Sequence, residues 1–132
     1  MARFAVVGAG AWGTALACHL ARLEHAVTMW AYEPEVAEEI TTRHANSVYL
    51  AGVSLPETIR AATDARQVVA GAEVVIFVPP SSHLRGVSAL AAPGVPRNAV
   101  VVVATTVLLE FSKFTVTPRM PTSVTSHVAL LL

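Results

Sequence analysis

The sequence predicts an α/β domain, a parallel β-sheet with helices on both faces. The chain of 132 residues opens with a buried strand, a glycine turn and a helix, and further apolar strands then alternate with helical segments. Its composition is 54% hydrophobic and 14% charged, which suits strands buried on both faces of a parallel sheet. This length corresponds to a single packed domain.

The first strand and helix are the part on which the remaining predictions depend. Residues 4–7 form a short apolar run bounded by glycine, which predicts a buried strand. Apolar residues then recur at helical spacing and predict the core face of the first helix: Ala15, Leu16, Leu20 and Leu23.

Between this strand and helix lie Gly8, Gly10 and Gly13, in the spacing G-x-G-x-x-G. The first glycine permits a tight turn, the second lets a pyrophosphate approach the backbone, and the third allows close packing of helix on strand. The N–H groups at the helix start then face the phosphates. This context predicts a Rossmann-type doubly wound fold and a dinucleotide site, with a merely structural turn as the alternative.

The next segments complete a strand, helix, strand unit. Residues 26–30 predict a second strand, parallel to the first and beside it. Pro34 suits the first turn of a helix, in which Val36 and Ile40 are an apolar pair. Residues 43–56 are irregular and predict a loop placed to fold over a cofactor.

Three further strands and two helices are expected before residue 105. Residues 58–62 predict a third strand, and Asp64 is a suitable cap for a helix ending at Val69. Residues 73–78 predict a fourth strand, after which Ser81 or Ser82 can cap a helix. The core face of that helix is expected to contain Leu84, Val87, Leu90 and Ala91.

The sheet is expected to end after about five strands, the fifth at residues 99–103. Residues 106–132 are rich in Ser and Thr and show neither a helical nor an alternating period, so we expect an irregular tail. The predicted division is a cofactor-binding domain at residues 1–105 and a tail at residues 106–132.

Charge and cysteine content exclude several functional classes. Nine basic residues balance nine acidic ones, which argues against a nucleic-acid partner, and no apolar run approaches the roughly 20 residues of a membrane span. The single Cys18 is expected to be a buried thiol, and with no room for a signal peptide before the first strand we expect a cytoplasmic location. The scattered histidines show no metal-ligand spacing. His83 follows the fourth strand at the ligand edge, and we expect it to be a polar loop residue rather than a catalytic base.

From about Phe4 to Thr105 the sequence resembles the N-terminal domain of the bacterial NAD(P)-dependent glycerol-3-phosphate dehydrogenases. The segments that carry this resemblance are residues 8–17, 27–30, 46–50, 55–56, 77–79 and 104–105. The resemblance implies a dinucleotide-binding domain followed by a helical substrate domain, and interconversion of dihydroxyacetone phosphate and sn-glycerol 3-phosphate for phospholipid synthesis.

The resemblance also implies which residues contact the cofactor. Ala11 and Trp12 fall where the glycine loop of that family touches the dinucleotide. Tyr32 falls beside the adenosine ribose, and Tyr49 falls in the covering loop.

Two departures from the family pattern affect these expectations. Where the family often has Arg or His, this chain has Tyr32 followed by Glu33, which offers no cation to the 2'-phosphate of NADP and favours NAD slightly. After Thr105 the family continues with a Lys-Gly pair, and here Thr106 takes the place of the lysine. The only lysine, Lys113, matches neither family lysine, so we assign no catalytic residue.

Three functions remain open from the sequence. The chain is the cofactor-binding part of a glycerol-3-phosphate dehydrogenase, inactive alone because the substrate domain is missing. Alternatively, it is a stand-alone NAD(P)-binding module without catalysis, or part of another Rossmann dehydrogenase. Dihydroxyacetone phosphate is expected as a partner only if the missing domain is present.

Overall fold

The computed structural model describes residues 1–105 and one short strand near the C-terminus. Its strands form one sheet in the order β3-β2-β1-β4-β5-β6, and every neighbouring pair is parallel. The strands are β1 Arg3–Val7, β2 Ala26–Trp30, β3 Arg60–Ala62, β4 Val74–Phe77, β5 Val100–Val103 and β6 Ala129–Leu130. The helices are α1 Ala11–Arg22, α2 Pro34–Arg43, α3 Ala65–Val69 and α4 Leu84–Ala91.

The central strand β1 lies between β2 and β4. The sheet extends from β1 to one side through β2 and β3, and to the other side through β4 and β5. Val7, the last residue of β1, is in register with Trp30 of β2 and with Phe77 of β4. The chain leaves β1 toward one face of the sheet and leaves β4 toward the other, so a crevice opens at the carboxyl ends of these two strands. This is the doubly wound architecture that the sequence predicted.

Alternating residues of β1 divide the core into two layers. Val6 packs with Met29 and with Val36 and Ile40 of α2 on one face. On the other face Val7 packs with buried residues of α3 and α4, among them Val69, Val87 and Ala91. Helices α1 and α2 therefore cover one face, and α3 and α4 cover the other. Asp64 caps α3, as predicted, by accepting bonds from the N–H groups of Arg66 and Gln67.

The core face of α1 differs from the one predicted. The residues buried against the sheet are Gly13, Thr14, Ala17 and Cys18, whereas Ala15 is exposed and Leu23 is 56% exposed. Both sets follow helical spacing, so periodicity alone did not choose between them. The close contact of Gly13 with the turn after β1 turns the small residues inward, and only Leu16 and Leu20 of the predicted set pack at the edge of this core.

The start of α4 also differs. Ser81 and Ser82 form a single turn of 3₁₀-helix with His83 ahead of α4, and neither serine makes a capping hydrogen bond. The prediction that one of them caps the helix is wrong because both lie inside this turn. Val87 and Ala91 are buried as expected, but Leu90 is 59% exposed because α4 covers the sheet margin with only part of its apolar surface.

Beyond β5 the structure describes one short segment of the predicted tail. Ala129 and Leu130 pair in parallel with Val102 and Val103, which adds a sixth strand to the five that were expected. A two-residue strand depends on backbone hydrogen bonds to an open sheet edge and leaves little pattern in the sequence. The rest of the predicted tail lies outside the described residues, and the boundary at Thr105 stays a prediction. In the described part of the chain, no helix combines the length and the hydropathy needed to cross a membrane.

Candidate functional site

Gly8 lies directly after β1 and faces the chain segment that follows β4. Its φ of +133° is a conformation that side chains with a Cβ rarely adopt. A Cβ at this position would lie 2.9 Å from the carbonyl carbon and the carbonyl oxygen of Val78. The positive φ and the lack of space for a Cβ therefore both require glycine at this position. The close approach of the Gly8 and Val78 backbones forms the floor of the crevice.

Gly13 lies in the first turn of α1 and faces the same floor. A Cβ built on it would overlap the carbonyl oxygen of Gly8 and lie 2.9 Å from Cγ2 of Val78. The helix therefore packs on the glycine turn at a distance that only hydrogen at the α-carbon allows. This is the close helix-to-strand packing predicted for the third glycine of the motif.

Gly10 has the opposite surroundings. It precedes α1 in an extended conformation, with φ −72° and ψ −175°, and no atom lies within 4 Å of a Cβ built on it. The fold itself does not require glycine here, whereas open space at this point is what an approaching pyrophosphate needs. Helix α1 has no side-chain N-terminal cap and no acidic residue in its first turn. Its first N–H groups and positive dipole end thus remain available to an anion, and the turn fits a dinucleotide.

Trp12 joins the glycine turn to the far side of the crevice. Its indole is 60% exposed, and its Nε1–H donates to the carbonyl oxygen of Ala104, just after β5, at 3.0 Å. The hydroxyl of Thr105 donates to the carbonyl oxygen of Pro79 and joins the ends of β4 and β5. Trp12 and its exposed neighbour Ala11 thus line the entrance to the crevice.

Tyr32 lies just after β2, and Tyr49 bonds to the residue next to it, Glu33. Tyr32 is 79% exposed, and its ring packs edge-on against Trp30. Next to it, the carboxylate of Glu33 accepts a hydrogen bond of 2.5 Å from the hydroxyl of Tyr49. This bond, assisted by some desolvation and by the negative charge of Glu33, raises the pKa of Tyr49. The structure brings the two predicted tyrosines to one side of the crevice, while their contact with a cofactor stays a prediction.

Asn46 is a residue of this site that our interpretation of the sequence missed. Its side-chain amide donates to the carbonyl oxygen of Ala9 and to Oγ1 of Thr14, both at 2.9 Å, and is fully buried. Residues 46–50 were among the segments that carry the family resemblance, but the side chain of Asn46 was given no role. A polar residue in an irregular loop is usually exposed, so nothing short of the tertiary structure identified this burial.

A separate groove lies elsewhere, on the outer face of α2. It encloses about 320 Å³, and Glu35, Glu38 and Glu39 line it together with Arg43 and part of the covering loop. Three carboxylates disfavour the binding of an anionic pyrophosphate. We therefore place the functional site at the glycine turn and not in this groove.

The described residues contain no group of three or more His, Cys, Asp and Glu side chains that could hold a metal ion. Cys18 is buried in α1, and its pKa is raised because burial disfavours the thiolate more than nearby Arg22 favours it. His83 is exposed in the turn before α4. Thr106 and Lys113 lie outside the described residues, and we assign no catalytic residue.

The glycine turn lies at the switch point of a doubly wound sheet. It has free space at the Cβ position of Gly10 and close backbone packing at Gly8 and Gly13. This combination defines a Rossmann-type dinucleotide-binding domain. Residues 3–117 match the family model described as the N-terminus of NAD-dependent glycerol-3-phosphate dehydrogenase. The chain belongs to this family and carries its NAD(P)-binding domain.

Curated relatives and solved structures agree with this assignment. The chain is 43% identical over 102 residues to the glycerol-3-phosphate dehydrogenase [NAD(P)+] of Geobacter sp. (strain M21), covering 77% of this chain and 30% of the relative. It is 46% identical, again over 102 residues, to the enzyme of the same name from Corynebacterium aurimucosum, with 77% and 31% covered. The crystal structure of glycerol-3-phosphate dehydrogenase from Coxiella burnetii superposes with a TM-score of 0.73 at 32% identity, covering 79% of this chain and 32% of that one.

The chain thus spans about 30% of the length of the curated relatives it matches. The match to the family confirms the resemblance seen in the sequence, and it disfavours the alternative of another Rossmann dehydrogenase. The matched stretch continues to residue 117, past the boundary expected at Thr105.

Proposed function

We propose that the crevice at the carboxyl ends of β1 and β4 binds NAD(H) for a glycerol-3-phosphate dehydrogenase. The observation that carries this proposal is the open backbone at Gly10, because the fold gains nothing from a glycine there and a pyrophosphate does. The geometry of Gly8 and Gly13 supports it, since their packing forms the floor on which the dinucleotide would lie.

The proposal gives each predicted residue a role. The turn from Gly8 to Gly13, with Ala11 and Trp12 at the entrance, holds the pyrophosphate through backbone N–H groups. Tyr32 and Tyr49 hold the adenosine end, where exposed aromatic rings offer apolar contact area. The test is a calorimetric titration of the folded 132-residue chain with NADH. Failure of the wild-type protein to bind NADH would overturn the proposal.

At the adenosine end we expect a mild preference for NAD over NADP. A carboxylate at the end of β2 accepts a hydrogen bond from a ribose 2'-hydroxyl and repels a 2'-phosphate. Glu33 occupies this place and is oriented by Tyr49. Arg60 offers no counter-charge here, because its guanidinium donates to the carbonyls of Glu57 and Ile59 at the amino end of β3.

Parallel titrations with NADH and NADPH test this preference. NADH should bind as tightly as NADPH or more tightly, and Glu33→Gln should raise the affinity for NADPH relative to NADH. The matched variant Glu73→Gln removes a carboxylate paired with Arg3 at the amino ends of the strands, opposite the crevice. It should leave the ratio of NADH to NADPH affinity unchanged. NADPH binding more than about tenfold tighter than NADH in the wild-type chain would refute this account of the β2 tip.

The proposed reaction is hydride transfer between dihydroxyacetone phosphate and sn-glycerol 3-phosphate, in the cytoplasm, as a step toward phospholipids. The nicotinamide supplies the hydride, while the protein must orient the substrate and polarise its carbonyl. The described residues contain no lysine for that work, since Lys113 lies outside them. We therefore expect no oxidation of NADH by dihydroxyacetone phosphate with this chain alone, and turnover above background would contradict this.

A second candidate function is a stand-alone NAD(P)-binding module. It is favoured by β6, since Ala129 and Leu130 pair with the edge of β5 that would otherwise be open. Such a module would be monomeric and bind NADH without turnover. Aggregation of the purified chain at micromolar concentration would argue against this candidate.

A further inference from the structure

Asn46 is a buried polar residue in the irregular loop after α2. It is fully buried, whereas Ser47, Val48 and Tyr49 directly after it are exposed. Burial of an amide is unfavourable unless its hydrogen-bonding groups are satisfied. Here both amide hydrogens have acceptors, and Oδ1 accepts a bond of 3.2 Å from the backbone N–H of Tyr49.

One acceptor lies within the glycine turn and the other lies directly after it. Ala9 is located between the first and second glycines of the motif, and Thr14 follows the third. They are 37 and 32 residues away from Asn46 in sequence. A single side chain from the covering loop therefore spans the turn that faces the dinucleotide.

The bond to Ala9 determines the direction of a neighbouring donor. The peptide group between Ala9 and Gly10 is planar and trans, so its N–H points opposite to its carbonyl oxygen. Because the carbonyl of Ala9 is directed inward to Asn46, the N–H of Gly10 is directed away from the core. The position of a Cβ on Gly10 is likewise open, with no atom within 4 Å.

Asn46 also reaches the adenosine side of the crevice. The residue that donates to its Oδ1 is Tyr49, whose hydroxyl orients the carboxylate of Glu33. The backbone N–H of Leu50 donates to the carbonyl of Asn46 at 2.8 Å and closes this segment into a compact turn. The segment from Asn46 to Leu50 thus contacts both the glycine turn and the tip of β2.

We propose that Asn46 is a positioning residue that holds the glycine turn in its binding-competent shape and couples it to Tyr49. The inference rests on the proposed dinucleotide site and adds a residue that has no direct contact with the ligand. Asn46 acts by raising the fraction of molecules whose glycine turn has the binding-competent shape. The apparent affinity for the dinucleotide is reduced in proportion to this fraction. Without the hydrogen bonds of Asn46, the peptide group between Ala9 and Gly10 is no longer held in one orientation.

Thr14→Val and Asn46→Ala test this proposal in the 132-residue chain. Thr14→Val keeps the shape of the side chain and removes the hydroxyl, whereas Asn46→Ala removes all three bonds and is more disruptive to the fold. We expect the dissociation constant for NADH to rise at least about fivefold in Thr14→Val, corresponding to a competent fraction of about one fifth. The rise should be larger in Asn46→Ala.

Two controls separate positioning from stability. Thr14→Ser retains the hydroxyl and should restore the affinity to within about twofold. Thr41→Val is the matched control, because Thr41 makes a hydroxyl pair with the backbone of Ala61 on the outer side of the sheet. It should lower thermal stability without changing the affinity. Backbone hydrogen exchange at Tyr49, whose N–H donates to Oδ1 of Asn46, should accelerate in Thr14→Val and not in Thr41→Val.

The outcomes are distinct. If wild-type protein fails to bind NADH, the proposed function falls and the role of Asn46 falls with it. If the wild-type protein binds NADH and folded Thr14→Val binds equally well, the positioning role alone is overturned. It is also overturned if Thr41→Val weakens binding as much as Thr14→Val, since the loss would then follow stability. Loss in Thr14→Val, with recovery in Thr14→Ser, supports it.

Discussion

Substitution of Gly10 separates the contribution of this residue to binding from its contribution to folding. The backbone there has φ −72° and ψ −175°, which valine adopts without strain, and a Cβ at this position would have no atom within 4 Å. The only expected folding cost is the weaker N-terminal capping by valine, up to about 1 kcal/mol. We therefore expect Gly10→Val to fold.

The effect of Gly10→Val on binding should be much larger than its effect on folding. The branched side chain fills the space into which a pyrophosphate must move, and we expect at least a tenfold loss of NADH affinity, about 1.4 kcal/mol. Calorimetric titration measures the loss, and circular dichroism with thermal unfolding confirms the folded state. Gly10→Ala should give a smaller loss in the same direction.

Gly86→Ala is the matched control for Gly10→Ala. Gly86 also has open space at its Cβ position, but it lies inside α4, away from the glycine turn. The substitution should stabilise the protein by up to about 1 kcal/mol, because alanine favours helix, and should leave affinity unchanged. Unchanged NADH affinity in folded Gly10→Val would refute the assignment of the site.

Further predictions concern stability, pH and reactivity. Gly13→Ala should destabilise the fold by about 1–3 kcal/mol in denaturant unfolding, because the new methyl group overlaps the Gly8 carbonyl; a change below about 0.5 kcal/mol would contradict the packing. The pKa of Tyr49 is raised above its ordinary value of about 10 by the bond to Glu33. The stability from this bond is therefore present below about pH 10 and is lost as the pH rises through the higher pKa of the folded state. In an ultraviolet titration, Glu33→Gln should lower the pKa of Tyr49. Cys18, whose pKa burial raises, should react with thiol reagents at neutral pH far more slowly in native than in unfolded protein, and equal rates would exclude its burial.

Local patterns in the sequence were enough to predict the framework of the domain. The apolar runs of β1, β2 and β4 and the glycines between β1 and α1 require only neighbouring residues to be recognised. The cap of α3 by Asp64 is likewise local. The right-handed crossover rule then placed β2 parallel to β1 and beside it, whereas the full strand order came from the structure.

Long-range contacts decided the features that the sequence left open. Which face of α1 is buried depends on the close approach of Gly13 to Gly8, and two helical faces in the sequence are compatible with the same period. The pairing of Ala129 with Val102 depends on an open strand edge that no local pattern encodes.

The site itself combines both kinds of information. Its glycine turn could be predicted because each glycine answers a local demand of backbone geometry. The role of Asn46 could not, since its partners Ala9 and Thr14 lie more than thirty positions away. Whether a polar residue in a loop points to water or to buried acceptors is determined by what the folded chain places beside it, and only the tertiary structure contains that arrangement.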